Sequence, residues 1–597
     1  MNMHVTTPDD GLEPKTKAAG AELPRWRRIL RDLFRTRIDK SASRIRLVAT
    51  LFSCLFLIIA GRLIYLGTKP DPQSLKRAVS EAVAAARPAI LDRNGEVLAA
   101  DVQNMSVYAE PRRILDKDEA VELLTAVLPD LDANDLREKL GSRKGFVWIK
   151  RGISRREQQE VFRLGLPGVN FQRENKRIYP NGPVAAHVLG ATNVDNQGIA
   201  GIEKYIDGQG LADLNGAGFR LTPENLNPIN LSLDLHATYI VREELRKGIE
   251  KFKAKAGAAA ILDVNTGEVI AMASLPDFDP SNPVDALKSD NIDRMTVGVY
   301  EMGSTFKALS IAMAIEANKA NLASRVDAHT SLRYGRFTIH DFHAQNRILS
   351  VPEVFTYSSN IGAARLALMV GVDGHQDFLR KMGQLDRMRT ELPESAEPLK
   401  PKRWSEISTA TIAFGQGLNV APLQAMMAVG ALMNGGYLIT PTFLKRSAEE
   451  ARKVAVRVVR PETSEAMRYL MRLNAEVGSA KAADKKGYFV GGKTGTADKQ
   501  FHGHYASDRV LTTFMAIVPS DQPRYLVLAM MDEPQGLPET GGYRTAAWNS
   551  GAVAGAIVER VMPLLGLPPR FDPPVQPFPD LPKLGVTALN NNGSGAH

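Results

Sequence analysis

Cysteine is all but missing from this chain: one residue, Cys54, in 597. That excludes a disulfide framework, a thiolate metal site and a redox pair, so stability has to come from packing. Tandem repeats are missing as well. Long apolar runs are scarce, and a mean hydropathy of -0.18 with 24% charged residues excludes a polytopic membrane protein. A hydrophobic content of 44% excludes wholesale disorder, and the length calls for about three to five folding units. Charge of one sign is in short supply once its location is considered. The net charge is +9, but residues 1–46 hold eleven Lys/Arg against six Asp/Glu, leaving only +4 on the remainder. No nucleic-acid partner is expected from so even a distribution.

The one long apolar stretch is LVATLFSCLFLIIAG (47–61), continued past Arg62 to Leu66. About twenty residues of helix span roughly 30 Å, the thickness of a bilayer core. Arg62 sits where its side chain can snorkel to the headgroups, and Trp26 and Tyr65 suit the two interfaces. Residues 25–46 carry nine Lys/Arg against Asp32 and Asp39, which by the positive-inside rule makes 1–46 a cytoplasmic basic tail and 47–66 the membrane anchor. A buried core helix and a cleaved signal peptide are the competing readings; the leader is long and no small-x-small site follows closely. Everything beyond about residue 68 is then outside the cytoplasmic membrane.

Residues 1–24, with Pro8, Pro14 and Pro24, read as a disordered tail, and 74–87 as helical. RPAILDRNGEVLAADV (87–102) alternates about an Asn94-Gly95 turn as a β-hairpin does. At 230–236 a strand-like NLSLDLH leads into the helix-like TYIVREELRKGIEKFKAK, and 256–274 forms a second hairpin about Asn265-Thr266-Gly267. This change of pattern sets a boundary near 230: a domain over 69–229, another over 230–567, and a Pro/Asn/Gly-rich disordered tail over 568–597.

Three short motifs bear on chemistry. Ser304-Thr305-Phe306-Lys307 is the Ser-x-x-Lys match, preceded by Gly303 and followed by apolar residues at helical spacing. A serine in the first helical turn sees unsatisfied N–H groups, and a lysine three positions on lies on the same face. Ser358-Ser359-Asn360 follows about fifty residues later; a literal Ser289-Asp290-Asn291 precedes Ser304 in a polar loop and is set aside. Lys493-Thr494-Gly495-Thr496 follows Tyr488-Phe489-Val490, which suggests a strand edge approached by a ligand. The sequence around Lys493 lacks the P-loop pattern. His340 and His343, and His502 with His504, could be read as zinc ligands, but without cysteine or a clear carboxylate partner no metal and no cofactor are expected.

In the order Ser-x-x-Lys, Ser-x-Asn, Lys-Thr-Gly the three motifs resemble the penicillin-binding proteins, active-site serine D,D-peptidases. RPAILDRNGEVLA, RIYPNGPVAAHVLG and GIAGIEKYID look like the non-catalytic domain of class B members, and ELPESAE, FGQGLNVAPLQAMMA and MMDEP like their catalytic domain. Met302 and Ala308 stand where many relatives have proline. The resemblance implies an α/β transpeptidase domain, with a central antiparallel sheet between helices, on an elongated mixed α/β pedestal of the dimerisation type behind one membrane helix. It implies Ser304 as nucleophile, Lys307 as its base, Ser358 as proton relay, Asn360 on the substrate amide, and Lys493 with Thr494, Gly495 and Thr496 on the terminal carboxylate. An oxyanion hole from the backbone N–H groups of Ser304 and Thr496 is implied too. The implied substrate is the peptidoglycan stem peptide of lipid II-derived glycan, with β-lactams as inhibitors, a membrane glycan polymerase and division proteins as partners, and the division septum of the inner membrane as location. Rival readings are an elongation-specific transpeptidase, a non-catalytic penicillin sensor or scaffold, and a β-lactamase using Glu391 or Glu394. Residues 68–230 are too few for an added glycosyltransferase beside the pedestal.

Overall fold

The structure is a computed structural model that describes residues 40–68, 86–211, 226–501, 504–572 and 574. The expected tail at 1–24, most of the expected helix at 74–87 and nearly all of the tail at 568–597 lie outside these residues. The chain divides into two units, Met1–Glu81 and Ala82–His597. In the first, helix α1 (Lys40–Thr68) contains the apolar stretch. Its segment Val48–Tyr65 is long and apolar enough to cross a membrane, and none of it is buried. Arg62 places its guanidinium over the Tyr65 ring, 5.7 Å from the centroid.

The second unit opens on a sheet in which β1 (Ile90–Leu91) and β2 (Val97–Ala109) form the hairpin expected about Asn94-Gly95. β3 (Val147–Ile153) and β4 (Val169–Ile178) both pair antiparallel with β2. Asp92 makes the turn: its Oδ1 accepts the backbone N–H groups of Asn94 and Glu96, and Gly95 takes a φ of +92° that a side chain resists. A helix α2 (Gly201–Ile206) presents Glu203 to a buried ion cluster. Glu203 accepts from Arg87 Nε at 2.7 Å and Arg177 Nε at 2.6 Å, and Arg177 also meets Asp101 at 3.2 Å. Arg87 reaches Asp207 and the carbonyl of Asn196 as well.

The strand expected over 230–236 shrinks to β5 (Ile229–Asn230), which pairs parallel with β1. The cause is Asp234, whose side chain accepts from Ala237 N and so begins helix α3 (Leu235–Phe252) at Leu235. The chain then enters a five-stranded antiparallel sheet of β6 (Ala256–Asp263), β7 (Val269–Leu275), β8 (Gly491–Phe501), β9 (His504–Val518) and β10 (Tyr525–Asp532), in the order β8-β9-β10-β6-β7. Both faces are covered, so β6 reads as a continuous buried run whose alternate residues serve two cores. Ala258, Ala260 and Leu262 join the larger core, while Ala259 and Ile261 face a core shared with α3 and the C-terminal helix α4 (Ser550–Val561). β8 has a partner on one side only and leaves an open edge.

The two sheets are joined by polar contacts. Arg93 N donates to Leu233 O, Asn94 Nδ2 to Asp234 Oδ2 and Leu235 N to Asp92 Oδ2, so the hairpin turn is docked on the start of α3. Glu394 accepts from Gly201 N at 3.1 Å and faces Lys204 at 3.4 Å. Glu391 accepts from Thr442 Oγ1 and Phe443 N.

Replacing Glu203 by Gln leaves two buried guanidiniums without their shared carboxylate. Breaking a buried pair on one side costs about 3–5 kcal/mol, so thermal unfolding of the detergent-solubilised full chain should fall by several degrees. A melting temperature within a degree of wild type would show that the cluster contributes little.

Candidate active site

Ser304 lies in a short turn, Gly303–Phe306, wound as a 3-10 helix, that runs directly into helix α5 (Lys307–Glu316). The expectation of a helix start holds, with the tighter winding in its first turn. Gly303 has a φ of +54°, and a Cβ there would meet the backbone of Thr496 at 3.0–3.2 Å. Only glycine lets the serine turn lie this close to β8. The carbonyl of Met302 accepts from Thr305 Oγ1 at 2.7 Å and Thr513 Oγ1 at 3.3 Å, which pins the turn to the sheet. Met302 and Ala308, the two departures from proline, are both buried without disturbing the turn.

Ser358 sits between helix α6 (Val351–Thr356) and helix α7 (Asn360–Val370). It has a φ of +57°, strained for a residue with a side chain. Ser359 Oγ caps α7 by accepting from Gly362 N, so the middle residue of the motif holds the turn while its neighbours face inward. Lys493 is on β8, opposite Met515 of β9.

These segments bring Ser304, Lys307, Ser358, Asn360 and Lys493 together. Lys307 Nζ lies 2.7 Å from Ser304 Oγ, 2.7 Å from the Ser358 carbonyl, 3.0 Å from Ser358 Oγ and 2.7 Å from Asn360 Oδ1. Two of these neighbours can only accept, and two are hydroxyls that can also donate. A neutral amine satisfies them: its two hydrogens go to the Ser358 carbonyl and Asn360 Oδ1, and its lone pair receives the hydroxyl proton of Ser304. Ser358 Oγ is also 3.0 Å from Lys493 Nζ and so bridges the two amines.

Both lysines are buried, Lys307 completely. Burial drives the Lys307 pKa well below its usual value; the Lys493 cation pushes the same way and Asp341 opposes it. Burial alone brings Lys493 down to about 7. The remaining residues of the third motif have other neighbours. Thr494 Oγ1 is 2.7 Å from Ser479 Oγ, Thr496 Oγ1 accepts from Ala546 N, and a Cβ on Gly495 would meet Met302 O at 2.6 Å. In register these threonines alternate with Lys493, so their side chains leave the opposite face of the strand.

Two side chains near the site have no counterpart in the sequence reading. Glu301, buried three residues before Ser304, accepts from Gly417 N at 2.7 Å and Tyr505 Oη at 3.0 Å, and burial raises its pKa. Asp341 stands between the two histidines of IHDFH, and its carboxylate accepts from Ser359 Oγ and Ile361 N. Among the described residues no three His, Cys, Asp or Glu side chains gather as metal ligands. His502 lies outside them, and Ser289-Asp290-Asn291 forms a separate turn whose Asn291 carbonyl meets the His187 ring.

With this geometry in hand, similarity to known proteins is specific. Residues 257–562 match the penicillin binding protein transpeptidase domain and residues 82–209 the penicillin-binding protein dimerisation domain. The chain is 36% identical over 498 residues to the probable peptidoglycan D,D-transpeptidase FtsI of Caulobacter vibrioides, covering 82% of this chain and 83% of that one. It is 29% identical over 560 residues to the peptidoglycan D,D-transpeptidase FtsI of Escherichia coli K12, covering 87% and 92%. Its fold is similar to a crystal structure of penicillin binding protein 3 from Mycobacterium tuberculosis complexed with aztreonam, with a TM-score of 0.61, 24% identity, and 83% and 98% coverage.

The two amines give a pH dependence with a definite sign. If Lys307 is the base for attack by Ser304 it must be neutral, and if Lys493 attracts an anionic ligand it must be charged. The rate constant for acylation by an anionic penicillin should rise with pH as Lys307 loses its proton and decline above about 7 as Lys493 loses its own. Lys493→Arg keeps its charge at all accessible pH, so its alkaline decline should disappear. A decline that persists in Lys493→Arg would assign that limb to another group.

Proposed function

The chain belongs to the penicillin-binding protein transpeptidase family, and from that membership we propose that it cross-links peptidoglycan stem peptides during septal wall synthesis, through a serine ester on Ser304. The observation that carries the reading is the 2.7 Å contact between Ser304 Oγ and a fully buried amine whose pKa burial lowers. Ser304 Oγ attacks the carbonyl carbon between two D-alanines as its proton passes to Lys307. The tetrahedral oxyanion is placed against the backbone N–H groups of Ser304 and Thr496, where the serine turn and β8 lie side by side. Collapse breaks the C–N bond; Ser358, bridging both lysines, relays the proton to the departing amine. An acceptor amine from a second stem then attacks the ester, returns Ser304 to its hydroxyl form and forms the cross-link. Asn360 holds the substrate amide. Lys493 draws in the terminal carboxylate, with the Thr494–Thr496 edge of the strand alongside it.

Domain limits of 69–229 for the pedestal and 230–567 for the transpeptidase go with this reading, supported by β5 (Ile229–Asn230) being the last strand of the first sheet and by Leu231 then bridging Leu444. The one helix among the described residues that is long and apolar enough to cross a membrane, and the basic residues before it, support a cytoplasmic N-terminus and a catalytic domain outside the inner membrane. An enzyme that only cross-links needs glycan made elsewhere, so a membrane polymerase and division proteins are the partners proposed.

A fluorescent penicillin should label the protein on Ser304, and Ser304→Ala should abolish labelling in a folded protein. Because hydrolysis requires a positioned water and base, the ester should persist for many minutes; rapid turnover of penicillin would favour a β-lactamase instead. Depletion should block constriction and leave filamentous or branched cells. Rounded cells with normal septa would indicate wall elongation.

A further inference from the structure

The turn that carries Ser358 and Asn360 is held from outside by a segment that the reaction scheme leaves unused. The carbonyl of His340 accepts from Asn360 Nδ2 at 2.9 Å, which fixes the amide so that its oxygen faces Lys307. Asp341 Oδ2 accepts from Ser359 Oγ at 2.6 Å, and its Oδ1 accepts from Ile361 N at 2.9 Å. One carboxylate therefore spans the residues on either side of Asn360, at the positive end of α7 and beside a serine with a left-handed backbone. Locally the turn is held by the Ser359 cap and by the N–H groups of Ser358 and Ser359 on Phe355 O and Val354 O, and Asp341 adds a brace from outside it.

We propose that Asp341 is a positioning residue for acylation: its carboxylate clamps the Ser358–Asn360 turn against Lys307 and supplies the negative charge that Lys307 senses. This rests on the reading of Ser304 and Lys307 given above. Of the elements packed around Lys307, its own turn offers Ser304 and the clamped turn offers Ser358 and Asn360, all uncharged. β8 contributes the Lys493 cation and the 340–341 segment the Asp341 anion. The exposed His340 ring is engaged elsewhere, its Nδ1 3.5 Å from Ser331 Oγ. Asp341 thus stabilises the protonated form of Lys307 that Lys493 destabilises, and keeps a proton available on the pair for return to the leaving amine.

The test measures acylation of the detergent-solubilised full chain by a fluorescent penicillin from pH 5.5 to 9.5. Asp341→Asn keeps the shape of the clamp and removes its charge, so the acid-side midpoint should move to lower pH by roughly half a unit or more. Ser359→Ala keeps the charge and cuts one strap, so its rate should fall, by about tenfold, with the midpoint in place. A purely structural role for Asp341 would lower the rate without moving the midpoint. Wild-type midpoint in a folded Asp341→Asn protein, or a shifted one in Ser359→Ala, overturns the proposal. Should Asp341→Asn not fold, Asp341→Glu decides: the charge is kept and the clamp displaced, so an unshifted midpoint with a reduced rate is expected, and a shifted midpoint or an undiminished rate overturns it. Failure of the wild-type protein to label at Ser304 would refute the proposed function itself, whereas labelling with unaltered variant profiles would refute this inference alone.

Discussion

Two amines buried within reach of one hydroxyl are the constraint around which this domain is organised. Lys307 and Lys493 both border Ser358 Oγ, and neither has a carboxylate on its nitrogen among the described residues. Placing them there is unfavourable to folding. A lysine whose pKa falls on folding binds fewer protons in the native state than in the unfolded chain, so native stability is reduced at neutral and acid pH and recovers as pH rises through the native value toward the unfolded one. For Lys493 that window runs from about 7 to the model-peptide value of 10.5. The surroundings offset the penalty with a sheet buried on both faces, and with helices whose apolar residues close over Lys307.

How much of this was legible depended on whether a residue's role was local. Ser304 and Lys307 declare themselves because one helical turn sets their spacing, and the Asn94-Gly95 and Asn265-Thr266-Gly267 turns because hairpin geometry selects those residues. The third motif marked an edge strand correctly from its glycines and flanking apolar residues. The direction of its threonine side chains required the register with β9. The alternation of NLSLDLH made the expected strand too long, because Asp234 caps α3 and starts the helix at Leu235. Asp341, Glu301 and Glu394 act across 20, 116 and 193 positions of sequence, and no local pattern announces a partner so distant.

Two of those long-range carboxylates, Glu394 and Glu301, also mark a continuous route from the pedestal to the Ser304 turn. Glu394 grips Gly201 and Lys204; two residues on, Ala396 N donates to Thr296 O, and Leu399 exchanges hydrogen bonds with Asn419. Val420 does the same with Tyr300, and Glu301 takes Gly417 N at the threshold of the Ser304 turn. The segment ELPESAE, which matched the family by pattern, is therefore a joint between the two sheets. Contact along such a path is what a partner docking on the pedestal would need to reach the site, while coupling through it is a separate energetic property.

The same placement bears on why a serine ester here would wait for an amine. Hydrolysis needs a carboxylate or equivalent base free to activate water. Glu391 is committed to Thr442 and Phe443, Glu394 to the pedestal helix, Glu301 to Gly417 and Tyr505, and Asp341 to Ser359 and Ile361. Each holds backbone or hydroxyl donors that fix a loop, and none is hydrogen-bonded to Ser304 or Lys307. Among the described residues, what remains beside Ser304 is a pair of amines with the Ser358 hydroxyl between them. That set can pass a proton to and from nitrogen, and among the described residues no carboxylate is hydrogen-bonded to it. Acidic side chains around this site hold backbone and hydroxyl donors, an arrangement that suits the proposed persistence of the ester until an amine arrives.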